Sequence, residues 1–169
     1  VVHDLDALRA RVDHTIESYR QATLVEEFIV GREFNVSLWG DPPDLLPLAE
    51  IDFRDFSDPF QKIVSFAAKW DATSFAFHHT PVRCPAPVGE SLAGRIRQVA
   101  LAAWQVIGCR GYARVDIRVN AQDQPHVIEV NCNPDLSPEA GFFRAIAAAG
   151  YSYPAMVERI VALADHRSR

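Results

Sequence analysis

Apolar residues recur at Leu5, Leu8, Val12, Ile16 and Tyr19, a spacing that predicts an amphipathic helix with Asp4 as its N-cap. The period then changes. Leu24 to Val30 and Glu33 to Leu38 read as strands separated only by Gly31-Arg32, and Gly40-Asp41-Pro42-Pro43-Asp44 reads as a turn. Leu45 to Ile51 reads as a third strand. Residues 53 to 87 hold no sustained period. They carry short aromatic patches, the pair His78-His79, and Pro59, Pro81, Pro85 and Pro87, as a long functional or mobile loop does.

The second half is more regular. Leu92, Ile96, Val99, Ala103 and Val106 predict a helix with one apolar face that stops at Gly108. Tyr112 to Val119 and Val127 to Asn131 predict a hairpin around Asn120 to Pro125. Ser137-Pro138 supplies an N-cap and a first-turn proline for a helix ending near Gly150, and Pro154 opens a last helix through Val157, Ile160, Val161 and Ala164. Trp104 belongs to the core stripe of its helix. The element order predicts an α+β fold, a largely antiparallel sheet flanked by helices.

Composition narrows the classes. The 169 residues are 49% hydrophobic and 23% charged, which excludes a disordered or low-complexity chain. Seventeen basic against 22 acidic residues give a net charge of −5, so a dedicated nucleic-acid surface is not expected. No run approaches the about 20 apolar residues of a membrane helix. Cys84, Cys109 and Cys132 are odd in number and far apart in sequence, which points to reduced thiols in a cytoplasmic protein rather than a disulfide framework or a structural zinc site. His78-His79 lacks metal-ligand spacing and reads as loop. The chain opens Val1-Val2 without Met, as a piece of a longer protein does.

The hairpin carries the candidate chemistry. Side chains alternate along a strand, so Val115, Ile117 and Val119 share one face and Arg114, Asp116 and Arg118 the other. In the partner strand Ile128 and Val130 take the apolar face, and Val127, Glu129 and Asn131 the polar one. With Val119 opposite His126, Asp116 faces Glu129 and Arg114 faces Asn131. Opposed Cβ atoms stand about 4.5–5.5 Å apart, and like charges there repel, so the pair calls for something positive between them. An arginine can serve. Two carboxylates with an amide oxygen also make a hard-oxygen set suited to Mg²⁺. The plainer alternative is a surface hairpin whose charged face is only solvated.

The run Gly108-Cys109-Arg110-Gly111-Tyr112-Ala113-Arg114-Val115-Asp116, followed by Glu129-Val130-Asn131-Cys132-Asn133-Pro134, resembles the C-terminal part of ATP-grasp ligases, and within them the D-alanine–D-alanine ligase family. Val25-Glu26-Glu27-Phe28-Ile29-Val30-Gly31-Arg32-Glu33-Phe34 is similar to that family's hinge. The resemblance implies a remnant of the central lid subdomain and hinge over residues 1–31 and a C-terminal ATP-grasp domain over 32–169. It implies Asp116, Glu129 and Asn131 as ligands of two Mg²⁺ ions (Mn²⁺ as a substitute), and Arg114 as the group that stabilises the reacting phosphate. It places Glu26 at adenine, Glu33 at ribose, and Lys69 on phosphate from a mobile loop.

The implied activity is ATP-dependent joining of two amino acids through an acyl phosphate, in the cytoplasm and in peptidoglycan precursor synthesis, with homodimers common in the family. Three positions depart from the pattern. Asp135 stands in place of Gly, Ala140 in place of a Ser that binds the second substrate's carboxylate, and Trp70 in place of Tyr. The second substrate is therefore open. Residues 1 to 23 do not supply the family's Gly- and Ser-rich phosphate loop, so this piece alone is expected to be inactive. A non-catalytic nucleotide-binding or interaction module built on the same fold is the alternative.

Overall fold

The computed structural model describes residues 1–165. The Asp4 carboxylate accepts the Ala7 amide at 2.7 Å and opens α1 (Leu5–Tyr19), the predicted first helix, none of whose residues is fully buried. Residues 24–30, expected as a strand, pair with no strand among the described residues. An apolar run without a ladder partner does not become a strand. This one is instead tied down by a single side chain described below.

The sheet is antiparallel throughout. β1 (Arg32–Gly40) is its centre, with β5 (Gly111–Val119) on one side and β6 (Pro125–Asn131) beyond it. On β1's other side the stretch expected as a turn already pairs at Pro43 and Asp44, as β2 (Pro43–Leu45), and the expected third strand over Leu45 to Ile51 is reduced to β3 (Ala49–Ile51). Pro47 lies between them and has no N–H to continue a ladder. β4 (Val82–Arg83) pairs with β3 at the edge. Between β3 and β4 the chain forms a 3-10 turn (Pro59–Gln61) and two short α-helices, α2 (Phe66–Trp70) and α3 (Phe75–His78), the latter two with Ser65 and Ser74 as side-chain N-caps. Ile51, Phe53 and Phe56 anchor this segment as a small apolar cluster. His78 ends α3 and His79 bonds Asp55.

One face of the sheet makes the main core. Phe34, Val36 and Leu38 of β1 and Ala113, Val115, Ile117 and Val119 of β5 pack against α4 (Glu90–Ile107) through Leu92, Ile96, Ala100 and Trp104. Full burial of each large aliphatic group stabilises by about 1.5–3 kcal/mol. Gly108 ends α4 in the left-handed conformation at φ 73, as the sequence indicated.

Two elements after the hairpin differ from expectation. The helix assigned to Ser137 begins later, as α5 (Gly141–Ala148). The Ser137 amide and hydroxyl are both held by the Asp135 carboxylate, and the Ala140 amide returns to the Ser137 carbonyl, so residues 137–140 form a turn before the helix starts. α6 (Tyr153–Asp165) follows, and with α5 it covers Trp39 through Phe142, Ala145, Ile146 and Met156. No described helix is long and apolar enough to cross a membrane.

Candidate functional site

The second face of the sheet divides in two. At one end Trp39 and Tyr112 are covered by α5 and α6. The remainder carries polar side chains in three cross-strand rows: Glu33 beside Arg118, Asn35 beside Asp116, and Ser37 beside Arg114. The rows continue into β6, where Asp116 faces Glu129 and Arg114 faces Asn131 as the alternation predicted.

The far half of the hairpin is corrected. A bulge falls between Asp116 and Ile117, so Val119 pairs with Pro125 rather than His126, and Val127 stands opposite Ile117. Ile128 is the extra residue on the longer side. The bulge moves Val127 out of the row of Glu129 and Asn131 while leaving the two carboxylates opposed.

These rows floor a cleft of about 1110 Å³. Its far wall is the segment Thr23–Ile29 with Leu8 and Val12 of α1, and α2 closes one side through Ala68, Lys69 and Trp70. Glu26, Glu33 and Lys69 line it. So do Arg114, Asp116, Glu129 and Asn131, and at the other end Asp135 and Ala140. All nine residues singled out in the sequence therefore share one cavity. Arg144, half-buried on α5, lines it as well.

Asp116 is the best-held carboxylate. Arg114 donates to it twice, Nε and Nη2 each at 2.7 Å, and the Asn35 amide donates at 2.9 Å. Burial opposes the Arg114 charge, but Asp116, with Glu129 and Glu33, outweighs it and raises the Arg114 pKa. Glu129 is exposed to the cleft and makes no ion pair among the described residues. Asn131 offers its side-chain oxygen to the Asn133 amide at 2.9 Å, which leaves one lone pair free. No group of three or more His, Cys, Asp and Glu side chains is assembled among the described residues. Two carboxylates and an amide oxygen on adjacent strands nonetheless fit a hard divalent ion that takes its other ligands from water and phosphate.

Arg118 is a functional candidate that the sequence reading passed over. It is buried, and its guanidinium donates to the Glu33 carboxylate at 2.9 Å, to the Ile29 carbonyl at 2.6 Å, to Lys62 at 2.8 Å and to Gly31 at 3.2 Å. Its plane also lies over the Phe28 ring, 4.6 Å from the centroid. One arginine thus fastens residues 28–31 and the base of the α2 segment to the sheet. Burial pushes the Glu33 carboxyl above its usual range, against the pull of Arg118 and Lys69. Asn35 was also missed. Alternation put Arg118 on the polar face of Arg114 and Asp116, which was the only signal; its pairing with Glu33, and that of Asn35 with Asp116, depends on the register between β1 and β5, strands far apart in sequence.

The three cysteines are free, as expected, but two are not far apart in space. Cys109 Sγ lies 3.4 Å from Cys132 Sγ. Burial and the neighbouring thiol push Cys109 up to about 11.

The family model for the D-ala D-ala ligase C-terminus matches residues 1–162. A D-alanine–D-alanine ligase of Desulforudis audaxviator is 34% identical over 173 residues, covering 99% of this chain and 51% of its own. An uncharacterised protein of Sinorhizobium fredii, y4sG, is 33% identical over 168 residues and is covered to 48%. Among solved structures, the D-alanine–D-alanine ligase of Coxiella burnetii superposes with a TM-score of 0.76 at 22% identity, over 98% of this chain and 40% of that one. The Bacillus anthracis ligase complexed with ATP gives 0.73 at 22% identity, over 96% and 47%. At that identity the likeness is one of fold, and it bears out the antiparallel, helix-flanked domain. The chain spans about half the length of the curated relatives it matches. A match over residues 1–162 places it in one family: the chain belongs to the C-terminal part of the D-alanine–D-alanine ligases.

Proposed function

We propose that this chain is the metal- and phosphate-handling half of an ATP-dependent ligase that joins a carboxylate to an amine. The observation that carries this reading is the row Asn35–Asp116–Glu129, two facing carboxylates with Arg114 beside them, in the cleft that Lys69 and Glu33 also line. In the proposed cycle the γ-phosphoryl group of ATP passes to the carboxylate of a first amino acid, giving an acyl phosphate and ADP. The amine of a second amino acid then attacks the carbonyl carbon, phosphate leaves, and the amine proton is lost to solvent.

Asp116, Glu129 and Asn131 are the residues that hold Mg²⁺, which withdraws charge from the phosphates when bound. Arg114 serves as the counter-charge of Asp116 in the ligand-free protein and turns to the reacting phosphate in the complex, where it stabilises developing negative charge. Lys69 contacts phosphate as a point charge. Glu33, positioned by Arg118, accepts from ribose hydroxyls, and Glu26 meets the adenine edge. The amine-bearing substrate lies toward Asp135 and Ala140. Residues 1–31 form the lid remnant and hinge, and the domain proper starts at residue 32; the last four positions of its expected range, 166–169, lie outside the described residues.

The test is thermal shift of the 169-residue chain with ADP, with and without Mg²⁺, beside Glu129→Gln. A shift that requires Mg²⁺ and disappears in the variant supports the reading. A nucleotide shift that is indifferent to Mg²⁺ and to the substitution overturns the metal assignment and leaves a nucleotide-binding module.

A further inference from the structure

Cys109 and Cys132 are separated by a whole hairpin and 23 positions in sequence, yet their sulfurs lie 3.4 Å apart. The fold fixes both. Cys109 follows the left-handed Gly108 at the end of α4, and its amide donates to the Trp104 carbonyl at 3.0 Å. Cys132 follows Asn131, the last residue of β6, whose side-chain oxygen accepts the Asn133 amide. The β5–β6 ladder brings the two stretches together: Arg114 pairs with Asn131, the last residue of β6, while β5 itself begins at Gly111, just after Cys109. Cys132 is exposed and Cys109 half-buried, so a reagent meets Cys132 first with Cys109 directly behind it. Cys84 lies elsewhere, packed against the Trp39 cluster.

Two thiols in contact can serve a soft metal or each other. A structural zinc ion takes four nitrogen or sulfur ligands, and no third His, Cys, Asp or Glu completes a group with this pair among the described residues. A disulfide needs only the two sulfurs to close to about 2.05 Å. We infer that Cys109 and Cys132 form a reversible dithiol–disulfide site, closed by exchange with a low-molecular-weight disulfide. In the first step the Cys132 sulfur attacks one sulfur of the reagent, its proton passes to solvent, and one reagent thiolate leaves. Cys109 then attacks the Cys132 sulfur of the mixed disulfide, loses its own proton and releases the second reagent thiolate. Two protein thiols are oxidised to one disulfide, and one reagent disulfide is reduced to two thiols. The bridge ties the loop after Asn131 to the turn between α4 and β5. It thereby links the loop between Asn131 and Asp135, both of which line the cleft, to the end of the core helix.

The whole chain is incubated with oxidised glutathione. Free thiols are then counted after denaturation, and the protein is weighed and mapped by proteolysis. Free thiols are expected to fall from three to one, with no glutathione retained and a peptide joining Cys109 to Cys132 that dithiothreitol releases. Cys84→Ser must leave that bridge unchanged, and Cys109→Ser must trap one glutathione on Cys132. Any of four results overturns the inference: a stable glutathione adduct on the wild-type chain, a bridge that uses Cys84, a disulfide between chains, or three thiols that survive unreacted.

Discussion

Arg118 and Glu33 face each other across β1 and β5 with Nη1 at 2.9 Å from the carboxylate, and their side chains are only 4% and 8% exposed. Removing one partner of such a pair leaves the other uncompensated. Arg118→Met also strands the carbonyls of Ile29, Gly31 and Lys62. The expected loss in urea denaturation is about 3–5 kcal/mol. Arg118→Lys keeps a charge for Glu33 but lacks the planar fork, and should fall between the two.

The same pair sets a pH dependence. Burial raises the Glu33 pKa above that of an unfolded glutamate, so the folded chain keeps this proton to higher pH. That contribution is full below about pH 4.3, the ordinary glutamate value, and is lost as pH rises through the raised one. The stability difference between wild type and Glu33→Gln should therefore shrink as pH rises from about 4. A difference that grows with pH would mean that Arg118 outweighs burial.

Asp116 and Glu129 should respond in opposite directions to neutralisation without ligand. Asp116 accepts three hydrogen bonds from Arg114 and Asn35, so Asp116→Asn breaks a buried ion pair and lowers stability. Glu129 has no ion-pair partner among the described residues and faces a like charge. Glu129→Gln should raise ligand-free stability by about 0.2–1 kcal/mol. Parallel melting curves of the two variants decide this.

Gly31 passes so close to β5 that an added Cβ would enter the Val119 carbonyl oxygen. Its own carbonyl accepts from Arg118. Gly31→Ala must shift one backbone away from the other, at a cost of about 1–3 kcal/mol. Hydrogen exchange of the amides around Val119 and Ile29 should report the displacement locally.

Lys69 separates binding from stability. It is exposed on α2, so Lys69→Ala should change stability by no more than about 0.5 kcal/mol. Calorimetric titration with ATP and Mg²⁺ should nevertheless show weaker binding. Unchanged affinity would remove Lys69 from the proposed phosphate site.

Periodicity located the elements whose partners are close in sequence. The α4 stripe and its glycine stop, and the Arg114–Asn131 and Asp116–Glu129 pairs, were legible because one helix face and one short hairpin decide them. The failures have a common cause. Leu24–Val30 has strand composition, but a strand exists only with a ladder partner, and none among the described residues pairs with it. Ser137 has a capping side chain, but Asp135 claimed its amide and hydroxyl first. The bulge at Ile128 is invisible to an alternation pattern, because an apolar residue there suits either register. Arg118 looked like one more charge on a polar strand. Its importance lies in four contacts, to residues between 56 and 89 positions away.

β1 and β5 have no idle face. Phe34, Val36, Val115 and Ile117 hold α4 in place, while Asn35, Arg114 and Asp116 on the same strands floor the cleft. A slip of one residue would push core side chains into open water and drive Glu33, Asn35 and Ser37 of β1, or Arg114, Asp116 and Arg118 of β5, beneath a helix. The chain therefore inspects its own cleft face as it folds: a molecule whose core has set correctly has already aligned its carboxylates, and a misaligned one has no core to stand on.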